Sequence, residues 1–255
     1  MIQQKRYERI AELISAAGVV DMNTLCEALN ASRGTVRRDL ICMEKNGLLL
    51  RTRGGAQAID RQPEDDLPIH MRGHLHNEQK SRIANRALDY IHEGDTILLG
   101  AGTTVRALAA KLTAFSDLTI VTYDVGVAYE IASKTKHTLL IAGGTVKKGT
   151  FTLISGFTEA FLRDTRIDCA FLSADALDTK AGFMDYNADE ITLKRIALGN
   201  ALRSVMLLDQ SKLGLRALMT ICKPDEVDLS ILDGPLDEQT QRLLDEARVT
   251  TCIAQ

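Results

Sequence analysis

No stretch of this 255-residue chain approaches the roughly 18 uninterrupted apolar residues that a membrane span needs. A membrane protein is therefore not expected. The N-terminus, Met1-Ile2-Gln3-Gln4-Lys5-Arg6, is polar and leads into an amphipathic stretch, so no signal peptide is expected either. The five cysteines (Cys26, Cys42, Cys169, Cys222 and Cys252) are odd in number, scattered and never in a C-x-x-C pair. That argues for reduced thiols in a cytoplasm and against a disulfide frame or a zinc site. Internal repeats and low-complexity tracts are also lacking. What remains, 45% hydrophobic and 25% charged residues, is ordinary for a soluble globular chain with room for one large domain or two unequal ones.

A large net charge is missing too, but the small one is unevenly spread. Residues 1–57 carry nine Lys/Arg against six Asp/Glu, whereas residues 58–255 carry 22 against 28. Between 33 and 53 the ratio is six basic to two acidic. A basic head on an acidic body suggests one localised contact with a polyanion.

The head reads as three short helices and a hairpin. Tyr7, Ile10, Ala11, Ile14 and Ala17 keep a helical period, and Gly18 follows as a stop. Asp21 or Asn23 can cap a second helix that buries Leu25, Ala28 and Leu29 before the turn at Asn30-Ala31. Ser32 caps a third helix with Val36, Leu40 and Met43 on one face and Gly47 past its end. Leu48 to Arg53, the turn Gly54-Gly55, and Ala56 to Ile59 form the two strands of a wing. Residues 1–59 are thus expected to be a winged helix-turn-helix, and 60–76, polar and broken by Pro63 and Pro68, a linker.

From 77 to 255 helical patterns alternate with apolar runs. The runs are Thr96–Leu99, Leu118–Thr122, Thr138–Ile141, Cys169–Ser173, Ser204–Leu208, Leu229–Leu232 and Val249–Ile253. Helices are expected near 104–111, 125–133, 156–163, 189–202 and 237–246. Nearly continuous apolar strands imply a mainly parallel α/β sheet covered on both faces.

At about 100° per residue, the buried face of the third helix leaves Gly34, Arg38 and Lys45 nearly opposite, flanked by Arg33 and Arg37. In a helix-turn-helix this element enters the major groove, its first turns nearest the bases. Arginine suits the position because its planar fork bonds guanine or phosphate through two donors. Lys45, Arg51 and Arg53 lie toward the wing and fit backbone phosphates. The competing reading of Arg37 and Arg38 is a solvated face, with Asp39 paired to one of them.

Arg6, Ile10 and Ile14, followed by Ser32-Arg33-Gly34-Thr35-Val36-Arg37-Arg38-Asp39-Leu40, resemble the N-terminal signature of the DeoR family of bacterial regulators. Gly47-Leu48 through Arg53-Gly54-Gly55-Ala56 resembles that family's wing. The resemblance implies binding of double-stranded operator DNA as a homo-oligomer, a dimer or a tetramer, usually to repress carbohydrate-utilisation genes.

In the body, Gly100-Ala101-Gly102-Thr103-Thr104 follows the first apolar run and opens a helix. Small residues let free backbone N–H groups face an anion, helped by two hydroxyls. The third glycine of a dinucleotide motif is replaced by Val105, and no Gly-Lys-Ser/Thr of a P-loop follows. A phosphate monoester fits better, with a plain glycine turn as the alternative. Thr122 with Asp124, Gly143-Gly144, Asp175, and Asp209 with Ser211-Lys212 stand at other strand ends, where open α/β sheets bind ligands. There Lys212 could neutralise a phosphate and Asp175 could hold sugar hydroxyls.

From about residue 77 to 232 the body resembles the DeoR C-terminal sensor, similar in fold to ribose-5-phosphate isomerase. The matching pieces include Gly100–Thr104, Gly143-Gly144-Thr145, Ala174-Asp175, Glu190 with Lys194, and Ser211-Lys212. The resemblance implies a phosphorylated sugar or related effector, with no cofactor. Two departures stand out: Thr122-Tyr123 replaces the family's Thr-Asn, and Ser173-Ala174-Asp175-Ala176 replaces its Gly-Ala-Asp-Gly. Two other classes compete with a regulator. One is a sugar-phosphate isomerase using Glu190, Asp175 and Lys212; the other is a metal sensor using His70, His74 and His76.

Overall fold

Short polar side chains start the helices of the N-terminal region, as their spacing demands. In the computed structural model, which describes residues 3–45, 49–57 and 76–255, helix α1 (Gln3–Ala17) is followed by strand β1 (Val19–Asp21). Asp21 accepts from the amides of Asn23 (2.8 Å) and Thr24 (3.2 Å), which begins α2 (Met22–Leu29). Asn30 turns the chain in the left-handed region at φ 44°. Ser32 Oγ then accepts the Thr35 amide at 3.3 Å, and α3 (Arg33–Lys45) runs from there. The wing is β2 (Leu50–Arg51) and β3 (Gly55–Gln57). Leu48, Ala58 and Ile59 of the expected wing and the helix stop Gly47 lie outside the described residues, as does the expected linker apart from His76.

The strand order β1-β3-β2 shows one partner that the hairpin reading lacked. Gly55 makes the pairing possible, because a Cβ there would stand 2.7 Å from Asp21 Cα. The small core consists of Ile10, Ile14, Val20, Leu25, Leu29, Val36, Leu40 and Met43 with Leu49 and Ala56, all buried.

The chain divides into two compact units, Met1–Leu75 and His76–Gln255. The second begins with α4 (Asn77–Ala87), β4 (Thr96–Leu99), α5 (Thr103–Ala109), β5 (Thr119–Thr122), α6 (Val125–Lys134) and β6 (Thr138–Ile141). A hairpin, β7 (Thr145–Val146) and β8 (Leu153–Ile154), leads to α7 (Gly156–Asp164) and β9 (Ile167–Leu172). Next come β10 (Ala176–Asp178), β11 (Gly182–Asp185), α8 (Ala188–Asn200) and β12 (Ala201–Leu208). The unit ends with β13 (Met219–Cys222), β14 (Leu229–Asp233), α9 (Glu238–Glu246) and β15 (Thr251–Ala254).

Seven strands in the order β15-β14-β12-β9-β4-β5-β6 form one sheet, and every pairing in it is parallel. Ile97, Leu98 and Leu99 are each 0% exposed, so the run is apolar without alternation because both its faces are covered. One core packs α4, α5 and α6 against the sheet. The other packs α7, α8 and α9 against the opposite face. No described helix is long and apolar enough to cross a membrane.

The apolar runs at 96–99 and 138–141 coincide with β4 and β6. Two features differ from the expectation. Strand β12 begins at Ala201, directly after α8, where a helix to 202 was expected. Ala201, Leu202 and Arg203 at its start are good helix formers and the last two are exposed, so in sequence they read as a continuation of the helix. A second, antiparallel sheet, β10-β11-β13, was not foreseen. Its strands are three or four residues long, too short to show a period.

Candidate functional site

On α3, Val36, Leu40 and Met43 are 0%, 1% and 1% exposed, while Ser32, Arg33, Gly34, Arg37 and Arg38 are exposed and Thr35 is half-buried. The helix thus turns three arginines and a glycine outward. Arg33 Nη2 donates to Asn23 Oδ1 at 2.6 Å, and Arg38 Nε donates to the Gly34 carbonyl at 3.2 Å. Asp39 pairs with neither Arg37 nor Arg38. It is 3% exposed and accepts from Arg6 on α1.

That pairing leaves Arg37 without a hydrogen-bond or ion-pair partner among the described residues. Arg51 Nε lies 2.6 Å from Glu44 Oε2, and its amide donates to Glu44 Oε1 at 3.0 Å. Arg51 therefore fastens the wing to the end of α3. Arg53 stays exposed in the turn. The Lys45 side chain lies outside what the structure describes.

In the second unit the candidate residues follow the carboxyl ends of parallel strands. Gly100–Gly102 follow β4, Thr122 ends β5, Gly143-Gly144 follow β6, Asp175 follows β9, and Lys212 follows β12. Some of them are already engaged inside the protein. The buried Thr122 hydroxyl donates to Leu99 O at 2.7 Å and accepts the Asp124 amide at 3.1 Å, pinning the ends of β4 and β5 together. Gly143 O accepts the Thr158 hydroxyl at 2.5 Å, which seats the start of α7 on the Gly143-Gly144 turn. Asp175 Oδ2 accepts the Tyr186 amide at 3.1 Å. Gly102, at φ 129°, has Ser173 Oγ where a side chain would go. Thr103 is half-buried and Thr104 6% exposed at the opening of α5. Lys212, in a turn capped by Asp209, is half-buried.

Behind these loops lies a buried charged cluster. Lys194 Nζ, on α8, donates to Asp185 Oδ2 at 2.5 Å and to Ser173 O at 2.8 Å, with Glu190 Oε2 at 3.9 Å. Glu190 Oε1 accepts from Thr152 Oγ1 and from Asn187 Nδ2, both at 2.7 Å. Burial works against the Lys194 charge, but Asp185 and Glu190 outweigh it and hold the lysine protonated. Burial pushes the Asp185 carboxyl well above the usual range. It also raises Tyr123 and takes Asp124 to about 6.

The DeoR C terminal sensor domain matches residues 75–234, and the DeoR-like helix-turn-helix domain matches residues 6–62. The chain belongs to the DeoR family. Among the relatives of this DeoR-family regulator is the HTH-type transcriptional regulator GlpR of Haloferax volcanii. It is 32% identical over 251 residues, with 98% of this chain and 97% of the relative covered. The glycerol-3-phosphate regulon repressor of Escherichia coli is 28% identical over 249 residues, with 98% of each chain covered. Among solved structures, ribose 5-phosphate isomerase A from Methanocaldococcus jannaschii is similar over 54% of each chain, at 19% identity and a TM-score of 0.40.

Membership places this DeoR-family regulator among transcription regulators rather than enzymes. His70 and His74 of the metal reading lie outside the described residues, among which no group of three His, Cys, Asp or Glu could hold a metal ion. Sequence reasoning had not singled out Asp185 or Thr152. Glu190 and Lys194, four apart on one helix face, were the available signal for a buried pair.

Proposed function

We propose that this DeoR-family regulator represses genes for the use of a phosphorylated sugar or polyol. It binds operator DNA in the cytoplasm as a homo-oligomer, and an effector phosphate at the carboxyl edge of the large sheet changes that binding. The observation that carries the DNA half is the outward face of α3, where Arg33, Arg37 and Arg38 are exposed and Asp39 is held by Arg6. The effector half rests on Gly100–Thr104, Asp175 and Lys212, all at strand ends of one parallel sheet. The name of one relative, glycerol-3-phosphate regulon repressor, points to the same ligand class.

Two heads at a fixed spacing read two half-sites, and the body supplies that spacing. The domains assigned are 1–59 for DNA reading, 60–76 as linker, and 77–255 for effector sensing and assembly. Operator titration of the full chain, with and without a panel of sugar phosphates, tests the proposal. Operator affinity that no phosphorylated metabolite alters would remove the effector half. Failure to prefer operator over random DNA would remove the other.

A further inference from the structure

Strand β6 forms one edge of the large sheet, and no described strand lies beyond it. The Thr138 amide donates to Leu118 O at 3.0 Å and the Ala142 amide to Thr122 O at 2.9 Å, both toward β5. A parallel strand alternates the direction of its peptide groups. The N–H and C=O of Leu139 and of Ile141 therefore point outward, away from the sheet.

Native proteins guard such edges with charge, proline, a bulge or a covering element. The opposite edge is guarded in this way. Helix α4 packs against β15, Arg86 Nε reaches Cys252 Sγ at 2.9 Å, and the strand is buried or half-buried throughout. Strand β6 has no such guard: it holds neither charge nor proline and keeps an unbroken register with β5. Its side chains are apolar on both faces of the sheet. Leu140 lies beside Val121 on the face of α7, α8 and α9, and Ile141 lies with Leu139 on the face of α6. They are 40% and 49% exposed, whereas Leu98 within the same sheet is fully buried. Helix α6, which packs on β6, leaves Tyr129 71% exposed. Phe157, next to the Thr158 that bonds Gly143 O, is 82% exposed.

We propose that β6 is the surface through which two copies of this chain join, antiparallel about a twofold axis at Leu140, so that their sheets run on into one another. This rests on the homo-oligomer reading above and names the surface that joins the copies. An edge offering both donors and acceptors calls for another extended strand, and every described strand already has its place in a sheet. A second β6 fits because the outward residues match. Leu139 of one copy faces Ile141 of the other, and each such pair exchanges both of its N–H···O bonds. Leu140 meets its own counterpart, in the kind of pair that brings side chains closest. With no charged residue in β6, no like charges oppose each other across the axis. The same patch serves on both copies, so the contact closes at two.

Sedimentation of the full chain tests this. The wild type is expected to sediment as a dimer or larger. Leu140→Lys and Leu140→Glu, at a side chain that the lone chain leaves exposed, should each raise the dimer Kd about tenfold or more, with circular dichroism like that of the wild type. Mixing the two variants should restore association, because opposite charges then meet across the axis. Leu140→Cys should give a disulfide-linked dimer on mild oxidation, since the facing residues stand within bridging range; it decides the matter if a charge variant fails to fold. A wild type that stays monomeric at the concentrations that bind operator overturns both this surface and the homo-oligomer reading. Unchanged association in both charge variants, no recovery on mixing, or no link through Leu140→Cys beyond that of the wild type removes β6 and leaves the homo-oligomer reading standing.

Discussion

Arg6 grips Asp39 through two hydrogen bonds, Nε to Oδ2 at 2.6 Å and Nη2 to Oδ1 at 3.1 Å, joining α1 to the reading helix across 33 residues of sequence. The paired fork fixes the angle between the two helices and takes the acid away from the DNA-facing arginines. Asp39→Ala should therefore lower the thermal unfolding midpoint of the head by several degrees, and Arg6→Ala should do the same. The double variant should be scarcely worse than either single one, since both remove one interaction. Additive losses in a double-mutant cycle would show that the pair is not coupled.

Arg38 and Lys45 should differ in what their loss does to DNA binding. Arg38→Ala is expected to cost roughly 1–3 kcal/mol on the operator and little on random DNA. Lys45→Ala should weaken both alike and flatten the salt dependence of binding. Fluorescence anisotropy at several salt concentrations distinguishes the two patterns.

Asp124 makes the second unit sensitive to pH. Burial raises its carboxyl from the usual 3.8 to about 6, against the opposing pull of Arg106 and with repulsion from Glu190. A folded-state value above the unfolded one means the unfolded chain ionises first. The stability that Asp124 contributes is then fully present below about pH 4, falls as pH rises toward 6, and is lost above it. A two-unit shift corresponds to about 3 kcal/mol at most. Urea unfolding between pH 4 and 8 should show this decline in the wild type and a flatter profile in Asp124→Asn. An unchanged profile in the variant would assign the decline to another group.

Lys194 is the only cation bonded to Asp185 among the described residues, and it is 3% exposed. Removing it leaves buried carboxylates uncompensated. Lys194→Met should destabilise the protein by about 3–5 kcal/mol, read as an early thermal transition of the body. A variant as stable as the wild type would mean that water reaches this cluster freely.

Lys212 and Thr104 test signalling. Lys212→Ala and Thr104→Val should keep operator affinity yet lose the response to the effector. In the wild type that response should be reciprocal, typically 5–150-fold in each direction. Operator titrations with and without the effector measure both sides of the linkage. A normal response in both variants would place the effector elsewhere.

Helix starts at Asp21 and Ser32, the outward arginines of α3, and the apolar runs that became β4 and β6 were legible in the sequence alone. Each depends on residues a few positions apart, where capping and periodicity act directly on the backbone. The loops after β4, β5, β9 and β12 were legible as candidates for the same reason, since a polar residue after an apolar run marks a strand end. Which of their atoms are free was not legible. Thr122 is tied to Leu99, whereas its neighbours Tyr123 and Asp124 keep unsatisfied atoms, and no local pattern separates the three. Asp39 sits beside Arg37 and Arg38 in the chain and yet pairs with Arg6. Such pairings are decided by which loops and helices the completed sheet and core bring within hydrogen-bond reach, and so by tertiary structure alone.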